Sequence, residues 1–282
     1  MDDPEAKLDR AHKHIRALAR MILRFRHEAY TVRGQPAFGV DPDPAHRFDV
    51  VIFAEVRQEP PSLLWGPIIG DIIHGLRSAL EQVAWGLSVE HQATLGNTPP
   101  PYPIPRNSRW RDISFPICRD GRHWEDVSNK KLWAIDPSIA ASLKGFQPFN
   151  TGPQAPDREP LAVLEELWNI DKHRHLHLIN ATIELRKAVS IELFPGMPRV
   201  DFEVISQGPL GGPFVGPAEV GRARPVERPG VQTPRTNAPH MFMYPDLAVD
   251  VAFDQGAPAY GGSVLKTLRS LSKTVKTILA AV

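Results

Sequence analysis

LAVLEELWNIDKHRHLHLINATIEL, residues Leu161–Leu185, is the stretch on which the reading of this chain turns. Wound at about 100° per residue, Leu161–Leu178 forms a helix with one broad apolar face. Leu161, Leu164, Leu167, Trp168, Leu178 and Ile179 share that face. Asp171 and His175 fall near its middle, one turn apart. A helix that buries this stripe must bury a carboxylate and an imidazole, which is costly unless each finds a partner. Four residues apart on a helix, the two can bond each other. Arg174 borders the stripe, while His173 and His177 lie closer to the polar side.

Three readings of the cluster stay open. It is a structural pair, with Asp171 and Arg174 tying the helix to a neighbour and the histidines solvated. It is an acid–base site, in which Asp171 orients His175 and raises its pKa. Or the His-rich run holds a metal, since two histidines at i, i+4 can share a cation. The sequence has no HExxH pattern and no second Cys/His cluster, so no metal ligand and no cofactor is assigned. Beyond Asn180 the residues favour strand. If the strand begins earlier, His173, His175 and His177 share a face instead.

Composition bounds the remaining choices. The chain has 282 residues, 42% of them hydrophobic, which suffices for a real core. A net charge of +1 gives no overall electrostatic footprint for nucleic acid, leaving only local patches open. The single cysteine, Cys118, excludes an intrachain disulfide framework and points to a reducing compartment. The first residues, MDDPEAKLDRAHKHIRAL, lack an apolar signal core. No apolar run approaches the roughly 20 residues of a membrane span. The expectation is a soluble cytoplasmic protein that does not enter the membrane.

Pro4–Glu28 reads as an amphipathic helix with Leu8, Ile15, Leu18, Ile22 and Phe25 inward and a basic face outward. Tyr30–Val40 and Arg47–Arg57 read as a β-hairpin, the second arm rich in β-branched and aromatic residues. Leu63–Val89 is a second helix, with Ile69, Ile72, Ile73, Leu76, Leu80, Val83, Ala84 and Leu87 on one face. Opposite runs a polar line, Asp71, His74, Ser78 and Glu81, with Arg77 at its border. Trp110–Arg119 is expected to be part strand, and Trp124–Leu132 and Pro137–Ser142 short helices. Gly145–Pro160 reads as loop.

Ala188–Phe194 and Arg199–Ser206 alternate apolar and polar residues around PGMP, the mark of a second hairpin. Residues 207–240 are rich in glycine and proline and carry no periodicity, so they read as a mobile loop or a lid. Its basic tract Arg222–Arg235 could hold an anion, although a solvated linker fits equally. Leu247–Phe253 is a strand. Ser263–Val282 is a helix whose apolar residues alternate four- and three-residue spacings, as in a bundle or a dimer seam.

The succession GDIIHGLRSALEQVAW, SFPI and LWNIDKHRHL resembles a family of uncharacterised bacterial proteins with a GDxxHxLRSAL helix and a DKHR helix. That resemblance covers about half the chain and implies no activity. It does draw Asp71, His74, Arg77, Asp171, Lys172, His173 and Arg174 together. The helical part is also similar to HEPN domains, small bundles of RNA-cleaving toxins and phage-defence systems. Those enzymes pair an Arg and a His with four to six residues between them, across a dimer and without metal. The spacing occurs here at Arg20 and His27 and at Arg235 and His240, matches that chance alone supplies. Arg174 and His177 stand closer together. The likeness is one of fold.

The expected architecture is a single α+β domain over residues 1–282. A helical bundle packs beside a small antiparallel sheet built from the two hairpins and Leu247–Phe253. The expected site lies where the Asp71 helix meets the Asp171 helix. His74 or His175 transfers the proton, Asp171 or Asp71 orients it, and Arg77 and Arg174 hold an anionic substrate. Lys172 and His173 stand behind them. RNA cleavage in stress or phage defence is the concrete form, with RNA or a small anion as ligand and a homodimer formed through 263–282. The alternative is a non-catalytic binding or assembly protein in which the cluster is a buried network.

Overall fold

The computed structural model describes residues 3–36, 49–173, 178–185, 188–192, 200–207, 218–225, 242–243, 247–254 and 256–282. Four helices make the main core. They are α1 (Pro4–Ala29), α2 (Ser62–Thr94), α6 (Pro160–His173) and α7 (Val264–Ala280). Each was legible as an apolar stripe, and the stripes meet. Leu18 and Ile22 of α1 are fully buried against α2, whose Ile69, Ile72, Ile73, Leu76 and Leu80 are sealed in turn. Leu161, Leu164 and Leu167 complete the packing from α6. α7 starts cleanly, because the Ser263 hydroxyl accepts the Lys266 N–H at 3.1 Å. Its apolar seam, Val264, Leu268, Leu271, Val275 and Ile278, is buried against α1, α2 and α6. The residues read as a dimer seam are thus covered by the chain's own core.

Three short helices lie between α2 and α6: α3 (Trp124–Lys131), α4 (Pro137–Gly145) and α5 (Pro148–Thr151). The last lies in a segment expected to be loop. Residues 113–119, expected to be part strand, form none. Phe115 there spends its main-chain groups on α2 side chains instead of on a ladder.

Among the described residues the strands pair with one another antiparallel. β1 (Tyr30–Pro36) pairs with β2 (Val50–Val56), and β4 (Ala188–Glu192) with β5 (Val200–Gln207), the two expected hairpins. They are joined into one sheet by β6 (Ala218–Pro225), and β7 (Phe242–Met243) adds to β4. The strand order is β1-β2-β6-β5-β4-β7, and the two edge strands approach each other, so the sheet curls. β6 corrects the reading of 207–240 as one unstructured loop. The rest of that segment lies outside the described residues. Arg224 fastens β6 to the chain before β2, with Nε 2.7 Å and Nη2 2.9 Å from the two oxygens of buried Asp49.

Leu247–Phe253 is a strand, β8, but it does not join the hairpin sheet. It pairs with β3 (Leu178–Leu185) in a separate two-stranded ladder. This also corrects the opening stretch: α6 ends at His173, and Leu178 and Ile179 belong to β3, not to the helix. Lys172 and His173 close the helix where cations suit the macrodipole. The strand is tied to the start of α2, because the Ser62 hydroxyl accepts the Leu178 N–H at 3.2 Å. Among the described residues no helix is long and apolar enough to cross a membrane.

Candidate functional site

α2 and α6 cross with Gly70 facing Asp171 and Arg77 facing Trp168, so the two helices run in opposite senses. Gly70 is buried and lacks the side chain that would hold the helices apart. The Asp171 carboxylate fills the space, and a Cβ at position 70 would lie 2.8 Å from its Cγ and 2.9 Å from Oδ2. Asp171 is half-buried, whereas Asp71 and His74, the next polar positions along α2, are exposed. Burial pushes the Asp171 carboxyl above the usual carboxylate range. The negative charge of Asp71 pushes it the same way, and His74 pulls it back. Asp71 and His74 thus lie within electrostatic range of Asp171 at the rim of the helix seam. Lys172 and His173 are exposed beside them. Arg174, His175 and His177 lie outside the described residues.

Arg77 occupies a different place from the one expected. The polar line of α2 is not uniformly outward, because residues 113–119 and α6 cover its middle. Arg77 is only 4% exposed. Its Nη2 lies 2.6 Å from Glu81 Oε1 and donates to the Phe115 carbonyl at 2.9 Å, and the Phe115 N–H donates to Glu81 Oε2 at 3.0 Å. The three residues close a ring of hydrogen bonds. The guanidinium carbon stands 5.2 Å from the centre of the Trp168 ring, over which Lys172 Nζ also lies at 2.9 Å. Arg77 Nε and Nη1 are buried without a hydrogen-bond partner. A guanidinium so enclosed cannot reach a substrate that arrives from solvent.

A second charged seam adjoins it. Arg119 bonds Glu166 at 3.1 Å and reaches Asp157 at 3.3 Å and the Ala162 carbonyl at 3.4 Å, fixing the 113–119 segment to α6. Glu165 lies within the field of Arg77, Arg119 and Lys131, yet burial outweighs them and raises its carboxyl. Cys118 is buried and its thiol is pushed up by that burial, which keeps it from acting as a thiolate nucleophile.

Sequence reasoning singled out the acidic and basic members, read Trp168 only as part of the apolar face, and gave Gly70 and Phe115 no role. Gly70 did carry a signal. A glycine inside a helix costs about 1 kcal/mol relative to alanine, so one standing in a strong apolar pattern marks a close approach. Among the described residues, no three His, Cys, Asp or Glu side chains are placed to share a metal ion. A cleft of about 630 Å³ opens along the later turns of α2, and none of Asp71, His74 and Asp171 lines it. No protein-family model, curated protein or solved structure matches the chain.

Proposed function

We propose that the rim of the α2–α6 seam is a metal-independent acid–base site acting on a phosphodiester, with RNA as the substrate. The observation that carries this reading is the half-buried Asp171 carboxyl, raised by burial and by Asp71 and standing within the field of the His74 imidazole. A carboxyl that keeps its proton more readily than usual, beside an imidazole, is a matched pair for moving protons near neutral pH. His74 takes the proton of the ribose 2′-hydroxyl as that oxygen attacks phosphorus. Asp171 gives its proton to the departing 5′-oxygen. The products are a 2′,3′-cyclic phosphate and a 5′-hydroxyl. Lys172, exposed one residue on, offers the charge that a phosphate requires.

The test is cleavage of single-stranded RNA by protein freed of metal with a chelator. The expected result is a cyclic-phosphate product and a loss of about a hundredfold or more in Asp171→Asn with the fold retained. No cleavage, or cleavage indifferent to Asp171, would end this reading.

A second reading, a binding or assembly protein with a structural charge network, is favoured by the enclosure of Arg77 by Glu81, Phe115 and Trp168. Under it, substitutions at Asp171 and Arg77 change stability and nothing else.

A further inference from the structure

The cleft along α2 is separate from the proposed acid–base site and has a chemistry of its own. Its volume of about 630 Å³ falls in the range of roughly 300–1,000 Å³ usual for small-molecule pockets. One wall is apolar, with Ile113 and Leu279 among its members, and Trp85 adds an indole. That indole is held in place edge-on by Trp110, at 5.4 Å between ring centres. The charged lining is acidic: Asp3, Glu5 and Glu81 contribute carboxylates beside neutral Ser78 and Gln82, and among the described residues no Lys, Arg or His lines the cleft.

The three carboxylates are not equivalent. Glu81 is already matched by Arg77 at 2.6 Å. Asp3 accepts the Glu5 N–H at 2.9 Å and so caps the start of α1, yet both side chains are exposed. The positive end of α1 offsets only about half a charge. An excess of negative charge therefore faces an aromatic and aliphatic wall.

We infer that this cleft binds a small organic cation, an ammonium or substituted ammonium bearing an apolar group. The charge stands between Asp3 and Glu5, the apolar part lies on Ile113 and Leu279, and the Trp85 ring supplies a cation–π face. An anion is repelled by the same lining, and a neutral molecule gains only the apolar contacts.

The experiment is calorimetric titration of the full chain with benzyltrimethylammonium. Benzyl alcohol is the neutral comparison and benzenesulfonate the anionic one. The cation should bind saturably and weaken as salt is added, the neutral compound should bind less well, and the anion not at all. Asp3→Asn with Glu5→Gln keeps the hydrogen-bonding geometry at the helix start and removes the charge. It should weaken the cation by roughly tenfold and leave benzyl alcohol unaffected. Trp85→Leu should weaken the cation further. If that variant does not fold, the Asp3/Glu5 variant decides alone. Absence of saturable binding at millimolar cation overturns the inference. So does equal binding of all three compounds, or a double variant that binds the cation as the parent does.

Discussion

The Asp171 carboxylate rests against the backbone of Gly70, in space that any side chain at position 70 would claim. This contact sets both the closeness of α2 to α6 and the position of a half-buried acid at the rim of their seam. Gly70→Ala should therefore separate stability from activity. The methyl group gains about 1 kcal/mol of helix propensity, which offsets the work of turning the short Asp171 side chain aside. The expected outcome is a melting temperature within a few degrees of the parent and RNA cleavage reduced by tenfold or more. Circular dichroism and a single-turnover assay on the same preparation check it.

Asp171 also makes stability depend on pH in a defined direction. Its carboxyl is raised in the folded protein, so the folded state holds a proton that the unfolded state has already released. Stability is then lost as pH rises from the ordinary aspartate range through the raised folded value. Asp171→Asn removes that loss. It should melt higher than the parent at neutral pH by a few degrees, the scale on which about 1 kcal/mol moves a chain of this size. The advantage should vanish below the ordinary aspartate range. Scanning calorimetry across acid and neutral pH reads this out, and an advantage that grows on acidification would contradict it.

Arg77 is predicted to be a stability residue. Arg77→Ala strands Glu81, frees the Phe115 carbonyl and uncovers Trp168. The expected cost is about 2–3 kcal/mol, below the full value for a buried pair because Glu81 keeps its bond from Phe115 and is partly exposed. Urea unfolding measures it, and a double-mutant cycle with Glu81→Ala isolates the pair. An unchanged midpoint would mean that the guanidinium is not holding α2 to the 113–119 segment.

The two-pronged bond from Arg224 to Asp49 predicts a second weak point, in the sheet. Asp49 is 2% exposed, so Arg224→Ala leaves a buried carboxylate without its cation and lowers the stability of the sheet. Urea unfolding followed by circular dichroism reports it, and a loss below about 0.5 kcal/mol, the range of an ordinary surface change, would count against the role.

The long helices α1, α2 and α7 were legible because each keeps a continuous apolar stripe. Leu8 to Phe25, Ile69 to Leu87 and Val264 to Ile278 all turned inward as their spacing requires. The hairpins were legible from alternation around turn residues. What failed were choices made by partners distant in the chain. Ala218–Pro225 follows one proline, ends on another and contains three small residues, and only its pairing to β2 and β5 makes it a strand. The stripe through Leu178 and Ile179 fitted a helix, yet these residues pair with β8, and Ser62 anchors the change. At the site, the packing of the Asp71 helix on the Asp171 helix could be guessed from the two motifs. The burial of Arg77 could not, because it depends on Phe115 coming across from another part of the chain.

The most direct measurement is the rate of RNA cleavage by His74→Ala beside the parent protein, both freed of metal. His74 is exposed and makes no part of the core, so its removal should leave the melting temperature unaltered. The account predicts a rate lower by about a hundredfold or more, with cyclic-phosphate ends on whatever product remains. A parent protein that cleaves nothing, or a His74→Ala variant that cleaves as fast as the parent, would contradict it.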